Sequence, residues 1–174
     1  VWMGYYSQGG NVDGTTRVNQ TKCPEGSFCR FGLRFDCPAG QYGNEMGLAI
    51  NTCSGKAAAG YYTPAGSTSA TQKQCPAGRY GTGGNTDEKC SGPCAKGHYC
   101  PKNSTSQTQF KCPAGRYGDI EGLQTSGCSV DCFLDSKQDD NDMYSTTALC
   151  AESKCTQGYY CPPGSISSRQ NKCG

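Results

Sequence analysis

Aromatic side chains recur along this chain two residues after a glycine. Eight such Gly-x-aromatic triplets carry Tyr or Phe at their third position. They begin at Gly4, Gly26, Gly40, Gly60, Gly78, Gly97, Gly115 and Gly158. This pattern predicts short strands, with candidates around Arg79 and Tyr80 and around Arg116 and Tyr117, and almost no helix.

Two kinds of half-repeat alternate along the chain. One reads C-x-x-G-x-[YF]-C, as in CPEGSFC, CAKGHYC and CTQGYYC, and the other reads C-P-A-G-x-Y-G. One of each makes a repeat of roughly 37 residues, a length typical of stacked repeats. The proline and glycine of C-P-A-G predict a type I turn with proline second and glycine fourth. We expect the Tyr rings to pack on the disulfides and to stack from repeat to repeat as a thin core.

Aliphatic residues are too few for a conventional core. Ile, Leu, Val and Phe number 17 of 174 residues, whereas there are 15 cysteines and 25 glycines. Disulfides compensate for a small core by about 2–4 kcal/mol each and form in oxidising compartments, so we expect an extracellular protein. The predicted fold is small, disulfide-rich and mostly irregular with short β-strands, arranged as an elongated tandem-repeat rod.

Charge and hydropathy exclude several classes of protein. The formal net charge is +2, which gives no sign of a nucleic-acid-binding face or of an acidic activator. No apolar run approaches the ~18 residues of a membrane span, so no direct membrane insertion is expected. Because no signal peptide is visible, we interpret the chain as a mature form or a fragment.

Comparison of the repeats with one another predicts the disulfide pairing. In the repeat that starts at Lys56, Ala57 and Thr63 replace the equivalents of Cys94 and Cys100. Loss of two cysteines together indicates that they form a pair, although re-pairing within the reduced repeat would give the same pattern. Extended along the chain, the comparison predicts Cys23–Cys29, Cys37–Cys53, Cys75–Cys90, Cys94–Cys100, Cys112–Cys128, Cys132–Cys150 and Cys155–Cys161.

Cys173 is the cysteine left unpaired within the chain. It occupies the position of Cys37, Cys75 and Cys112 in their half-repeats. Its partner is therefore expected about 15 residues past the end of this sequence.

No metal, cofactor or catalytic set is predicted. The segments CSGPC and CSVDC have a C-x3-C spacing that suits zinc, but the single histidine, His98, occupies a position filled by Tyr, Ser or Arg in other copies. The acidic run Asp135–Asp142 lacks the glycine and terminal glutamate of an EF-hand loop, which favours a solvated loop. One histidine supports no Ser/His/Asp set, and the glycines lie in turns, so we expect no enzymatic activity.

Covalently attached glycans are expected. Asn19 and Asn103 begin N-glycosylation sequons, and both side chains are predicted to be exposed. The run STSAT at Ser67–Thr71 suits O-linked sugar.

The combined pattern resembles the ephrin-receptor-like cysteine-rich repeat, a relative of the modules in tumour-necrosis-factor-receptor and growth-factor-receptor ectodomains. C-P-x-G-x-Y with a long bridge is followed by C-x-x-G-x-Y-C-P-x-G-S; Cys94–Cys128 matches best, and Cys161–Cys173 continues the pattern. The resemblance covers the chain except for 132–154. It implies a large surface protein, as in protists and the glycoproteins of algal flagellar hairs (mastigonemes), but no specific function.

The resemblance and the repeats predict six segments. They are a partial cysteine-free repeat at 1–22, cysteine-rich repeats at 23–55, 56–93 and 94–131, an inserted disulfide loop at 132–154, and a partial repeat at 155–174. The 56–93 repeat lacks one disulfide, and we expect it to be the more flexible joint.

The terminal partial repeats favour a structural role. Val1 and Ser7 occupy the two cysteine positions around Gly4, and the pattern stops midway at Cys173. Uncapped ends favour contact with another copy, and a head-to-tail contact that does not close gives a filament. We therefore predict a structural subunit of an extracellular glycoprotein filament or surface appendage, assembling as a homopolymer.

The predicted assembly contacts lie in the most apolar hexapeptide of the chain. They are Val1, Trp2, Tyr5 and Tyr6. The alternative function is a cysteine-rich stalk or ligand-binding ectodomain of a cell-surface receptor or adhesin.

Overall fold

The structure, a computed structural model, describes residues 2–8, 19–128 and 154–174. These residues contain no helix and form fourteen strands of two to four residues each. The strands are β1 Tyr5–Gln8, β2 Asn19–Lys22, β3 Ser27–Arg30, β4 Leu33–Asp36, β5 Gln41–Tyr42, β6 Gly55–Lys56, β7 Tyr61–Tyr62, β8 Lys73–Gln74, β9 Arg79–Tyr80, β10 Gly92–Pro93, β11 His98–Tyr99, β12 Phe110–Lys111, β13 Tyr159–Tyr160 and β14 Asn171–Lys172. The fold is thus small, disulfide-rich and mostly irregular, as the sequence predicts.

Each hairpin corresponds to one half-repeat, which we name by the glycine of its triplet. Successive strands pair antiparallel, β1 with β2 and so on to β13 with β14. The residue after the triplet glycine lies opposite the residue that precedes the next half-repeat, as in Gln41 opposite Lys56 and His98 opposite Lys111. In the Gly115 half-repeat a single bridge joins Arg116 to Lys154.

The turn that opens each half-repeat differs from the predicted type I turn by one residue. The N–H of Gln41 donates to the carbonyl of Pro38 at 3.0 Å, so proline is the first residue of the turn and Gly40 the third. Gly40 has φ of 84°, and a positive φ at the third position is what a type II turn requires. The prediction was wrong because proline is compatible with either placement, whereas the conformation of the glycine decides between them.

The chain forms two compact units. Unit 1 comprises Val1–Cys75 with Gly81–Ser91, and unit 2 comprises Pro76–Tyr80 with Gly92–Gly174. Each unit contains half-repeats of both kinds.

Sulfur rather than aromatic carbon fills the core. Among the described cysteines, seven have no exposed surface: Cys23, Cys29, Cys37, Cys75, Cys94, Cys100 and Cys112. Leu123 has the largest fully buried side chain among the residues that the structure describes, and it packs with Cys112 and Cys128. Burial of such small side chains stabilises a fold of this size only together with cross-links.

The aromatic rings lie at the margin of this core, contrary to the expected stacking from repeat to repeat. Phe28 stacks on Phe35 at 5.3 Å between ring centroids, and Tyr99 stacks on Phe110 at 5.4 Å. Both pairs join the two strands of one hairpin. These two ring pairs therefore stabilise their own half-repeats. Tyr99 also packs against Cys112, Leu123 and Cys128 of the next half-repeat, so the expected packing of a ring on a disulfide is confirmed there.

Candidate functional site

Six disulfides lie in the described residues, and they are the same six pairs that comparison of the repeats predicts there. Their Cα–Cα distances lie between 5.7 and 6.1 Å, within the range of ordinary disulfides. The pair predicted between Cys132 and Cys150 lies outside the described residues. Cys173 has a free, exposed thiol. A cross-linked fold of this kind indicates an extracellular or secreted protein.

One backbone hydrogen bond closes every half-repeat. The carbonyl of the triplet glycine accepts the N–H of the first residue of the next half-repeat, at 2.8–3.1 Å. The eight donors are Cys23, Cys37, Ala57, Cys75, Cys94, Cys112, Cys155 and Cys173. Ala57 makes this bond as the cysteines do, so the bond does not depend on a disulfide.

Two further types of backbone hydrogen bond join successive half-repeats. The N–H of Gly97 donates to the carbonyl of Gly118 at 2.8 Å, and the N–H of Cys100 donates to the carbonyl of Leu123 at 2.9 Å. Bonds of the first type have as donors Gly4, Gly26, Gly40, Gly60, Gly78, Gly97 and Gly115; the second type has Ser7, Cys29, Gly43, Thr63, Cys100 and Gly118. Neighbouring half-repeats are thus paired through backbone, which tolerates many side chains.

Five triplet glycines, Gly4, Gly26, Gly40, Gly78 and Gly97, also lie close to the half-repeat two places further along. A Cβ on Gly40 would lie 2.6 Å from the carbonyl oxygen of Gly84, closer than real Cβ contacts. Gly97 would meet the carbonyl oxygen of Gly164 in the same way. Because these glycines also have positive φ, both conformation and space require glycine. In contrast, Gly115 and Gly158 have nothing within 4 Å of that position.

The half-repeat at 57–74 keeps this geometry without a disulfide, and we call it the unbridged half-repeat. Ala57 and Thr63 are 4% and 0% exposed, in the places that bonded cysteines occupy elsewhere. The Thr63 Oγ1 is buried without a hydrogen-bond partner. The bridged half-repeat at 94–111 has Cys94 and Cys100 at the same two positions.

The predicted assembly contacts are partly accessible. Trp2 is 75% exposed and Met3 is 69% exposed. Tyr5 and Tyr6 are half-buried, and the Tyr5 ring meets Trp2 edge to face with 6.1 Å between centroids. Val1 lies outside the described residues.

A second apolar surface surrounds the turn between β3 and β4, and the sequence analysis did not identify it. Phe28, Arg30, Phe31, Phe35, Ile50 and Asn51 line an open depression of about 320 Å³, which we call the aromatic hairpin surface. Phe31 is 82% exposed, and the Arg30 guanidinium lies 4.8 Å from its ring centroid. Exposed apolar patches of this kind are typical of interaction sites.

Phe31 has a backbone conformation that is unusual for a bulky residue. Phe31 has φ of 54° and Gly32 has φ of 76°, the signs that a two-residue type I′ hairpin loop requires. Asn, Asp or Gly is usual at the first of these positions, and a bulky residue there costs about 1–3 kcal/mol. The sequence signal was the Phe-Gly pair in CRFGLRFDC, midway between two short strands.

The two sequons differ in accessibility. Asn19 is exposed at the start of β2. Asn103 is only partly exposed, so the expectation that both are exposed was wrong for this residue. It has φ of 65° in the place that Gly66 and Gly164 take in other half-repeats, and the next residue, Ser104, is fully buried. Glycosylation of either asparagine stays a prediction.

Within the described ranges, no group of three His, Cys, Asp or Glu side chains is placed to hold a metal ion. The His98 Nδ1 lies 3.1 Å from the carbonyl oxygen of Lys96 in its own turn. Among the same residues, no helix has the length and apolar character of a membrane span. No protein-family model and no curated protein sequence matches this chain.

Proposed function

We propose that this chain is a structural segment of an extracellular filament or cell-surface appendage, in which copies associate head to tail. The observation that carries the proposal is the way half-repeats pack, through the same types of backbone hydrogen bond and glycine contact at successive half-repeats. An interface of this kind is open-ended, because a further half-repeat can add to it with the same bonds.

Exposed apolar side chains support contact between copies. In unit 2, Tyr160 is 55% exposed, and a Cβ on Gly115 or Gly158 would have nothing within 4 Å. Trp2 and Met3 are exposed apolar side chains in the first half-repeat, and we propose that they contact unit 2 of another copy. Covering such surfaces stabilises association by about 25 cal/mol for each Å² of apolar area removed from water. We also propose that the chain consists of ephrin-receptor-like repeats and that it carries attached glycans.

Sedimentation of the disulfide-bonded chain tests this function. We expect concentration-dependent polymers and a shift of Trp2 fluorescence to shorter wavelength on assembly. W2Q/M3Q should leave monomers, whereas M46Q, which removes another exposed methionine, should assemble normally. A wild-type chain that stays monomeric at high concentration, with Trp2 fully exposed to quenchers, would contradict the proposal.

The aromatic hairpin surface favours a second candidate function, a ligand-binding ectodomain. Phe31→Asn removes the exposed ring and supplies a residue that suits a type I′ turn, so the folded state should be at least as stable. If the surface binds a ligand on cells of the source organism, this variant should lose binding while keeping its disulfides. Equal cell binding by wild type and variant would remove this candidate.

A further inference from the structure

The strand β4, Leu33–Asp36, is a long edge strand for this fold. Its four residues are all exposed, and among the described residues its one strand partner is β3. In the described hairpins that follow it, the second strand has only two residues. Proteins usually keep edge strands short or otherwise protected, because an open edge pairs readily with another extended chain.

Backbone hydrogen bonds alternate along the β3–β4 hairpin. In an antiparallel pair, residues that exchange hydrogen bonds with the opposite strand alternate with residues whose N–H and C=O point away from it. Cys29 lies opposite Arg34 in the register of this hairpin. The Cys29 N–H donates to the Leu48 carbonyl at 2.8 Å, and the Cys29 carbonyl accepts the Gly4 N–H at 3.2 Å. Cys29 and Arg34 are therefore a pair whose backbone groups point outward.

The outward backbone groups of β4 belong to Arg34 and, two residues further along, to Asp36. No hydrogen bond joins these groups to another segment of the chain within the ranges that the structure describes. The edge of β4 thus offers an N–H and a carbonyl at each of two residues. An added strand can bond all of these groups, which is how extended chains bind to the open edge of a sheet.

The sequence of this edge is complementary to itself. When two copies of β4 pair antiparallel about Phe35, Arg34 of each copy lies opposite Asp36 of the other. Each of these Arg–Asp pairs exchanges two backbone hydrogen bonds and brings opposite charges together. Pairing about Arg34 or about Asp36 instead places like charges directly opposite each other, which is destabilising. Charge therefore selects one register.

Both faces of the edge suit this register. Phe35 stacks on Phe28 and is 43% exposed, and in the pair it lies opposite Phe35 of the other copy, at the type of position where side chains come closest. On the other face, the Arg34 Nε donates to the Ser27 Oγ at 3.1 Å, and an Arg34 terminal nitrogen lies 3.9 Å from the Asp36 carboxylate. The guanidinium is thus held in place but weakly paired within its own chain, and it keeps donors for a second carboxylate.

We propose that two copies of this chain associate side by side by pairing their β4 strands into a four-stranded sheet. This contact is symmetric, unlike a head-to-tail contact, and it does not depend on filament formation. Because the contact is small, we expect a dissociation constant on the order of 1 mM, so that isolated chains at micromolar concentration are monomers. Along a filament the contact repeats, and many weak contacts together hold two filaments side by side.

Nuclear magnetic resonance of the full disulfide-bonded W2Q/M3Q chain, which lacks the proposed head-to-tail contact, tests the pairing. On dilution from about 1 mM to about 0.05 mM, the amide resonances of Arg34 and Asp36 should shift with one dissociation constant. Gln20 occupies in β2 the position that Arg34 occupies in β4. Its amide resonance should not shift, because β2 has Lys22 and no carboxylate at these outward positions.

Charge reversal identifies the register. R34D and D36R should each raise the dissociation constant about tenfold or more, because like charges then lie opposite each other. R34D/D36R restores opposite charges with the two residues exchanged, and its dissociation constant should return to within about threefold of the starting value. E45R makes the same charge change as D36R at an exposed position outside β4, and it should leave the association unchanged.

A double variant that associates as weakly as the single variants would overturn the proposal, as would an equal loss in E45R. A chain that stays monomeric at about 1 mM would also overturn it and would leave the edge to an extended segment of a different protein. Polymers of the wild-type chain in sedimentation report separately on the head-to-tail contact. Peptide mapping of the disulfides shows that each variant is folded.

Discussion

The unbridged and bridged half-repeats differ by one covalent bond and share the same backbone contacts. In the unbridged half-repeat, the N–H of Thr63 donates to Asn85 at 3.0 Å and its carbonyl accepts from Gly40 at 2.7 Å. In the bridged half-repeat, the N–H of Cys100 donates to Leu123 at 2.9 Å and its carbonyl accepts from Gly78 at 2.7 Å.

The next turn is also conserved between the two. Ser67 and Ser104 are both buried, and each donates its hydroxyl to the proline carbonyl three residues before it, at 2.6 and 2.7 Å. The comparison therefore separates the contacts that set the conformation of a half-repeat from the bond that adds to its stability. Backbone pairing and glycine contacts set the conformation of a half-repeat, and the short disulfide adds stability to a conformation that already exists.

Blocking a glycine contact should have the largest effect on folding. Gly97→Ala and Gly158→Ala both place a side chain at positive φ, which costs about 1–2 kcal/mol. Only Gly97→Ala also drives a Cβ against the Gly164 carbonyl oxygen, so its free energy of unfolding should fall by about 1–3 kcal/mol more, or the chain should fail to fold. Thermal unfolding of both variants measures the difference. Equal losses would mean that the glycine contact does not stabilise the fold.

Removing the short bridge should have the next largest effect. Cys94→Ala with Cys100→Thr copies the unbridged pair into the bridged half-repeat. The free energy of unfolding should fall by about 2–3 kcal/mol, because the unfolded chain gains freedom. The other disulfides should form unchanged in peptide mapping. Mispaired cysteines in this variant would show that the bridge directs the conformation.

Adding a bridge to the unbridged half-repeat should have the opposite effect. Ala57→Cys with Thr63→Cys should form a disulfide, since these residues hold the positions of bonded cysteines. We expect a gain of about 2 kcal/mol or less in the free energy of unfolding, because engineered bridges often give less than the entropy estimate. The variant with its new bridge reduced serves as the control. Two free thiols in the folded variant would contradict the equivalence of the two half-repeats.

The smallest effect concerns the buried hydroxyl of Thr63. Thr63→Val keeps the side-chain shape and removes an oxygen that lacks a hydrogen-bond partner. Since an unsatisfied buried group costs about 1–3 kcal/mol, we expect a gain of about 1 kcal/mol in urea unfolding. Thr68→Val, at an exposed position in the next turn, should be nearly neutral. Destabilisation by Thr63→Val would imply that the hydroxyl is bonded in solution.

The sequence predicts the disulfides well because the repeats act as internal replicates. Ala57 and Thr63 reveal which cysteines belong together, and this inference needs no geometry. The turn type and the ring packing were not predictable in the same way. Proline fits two positions of a turn, and a Tyr that recurs along the chain can pack within its own hairpin or on a neighbour.

The pairing between half-repeats and the candidate surfaces have weaker signals in the sequence than the disulfides have. Backbone hydrogen bonds between half-repeats have no side-chain signature beyond the glycines themselves. The exposure of Phe31 depends on a short loop in one half-repeat.

Amide hydrogen exchange tests most directly whether backbone pairing, rather than the disulfide, sets the conformation. The N–H groups of Thr63 and Cys100 make the same hydrogen bond in the unbridged and bridged half-repeats. We expect both to be protected far above unfolded rates, with Cys100 slower by no more than the factor of about 30 to 160 that 2–3 kcal/mol represents. Thr63 exchanging at the unfolded rate beside a protected Cys100 would show that the conformation requires the disulfide.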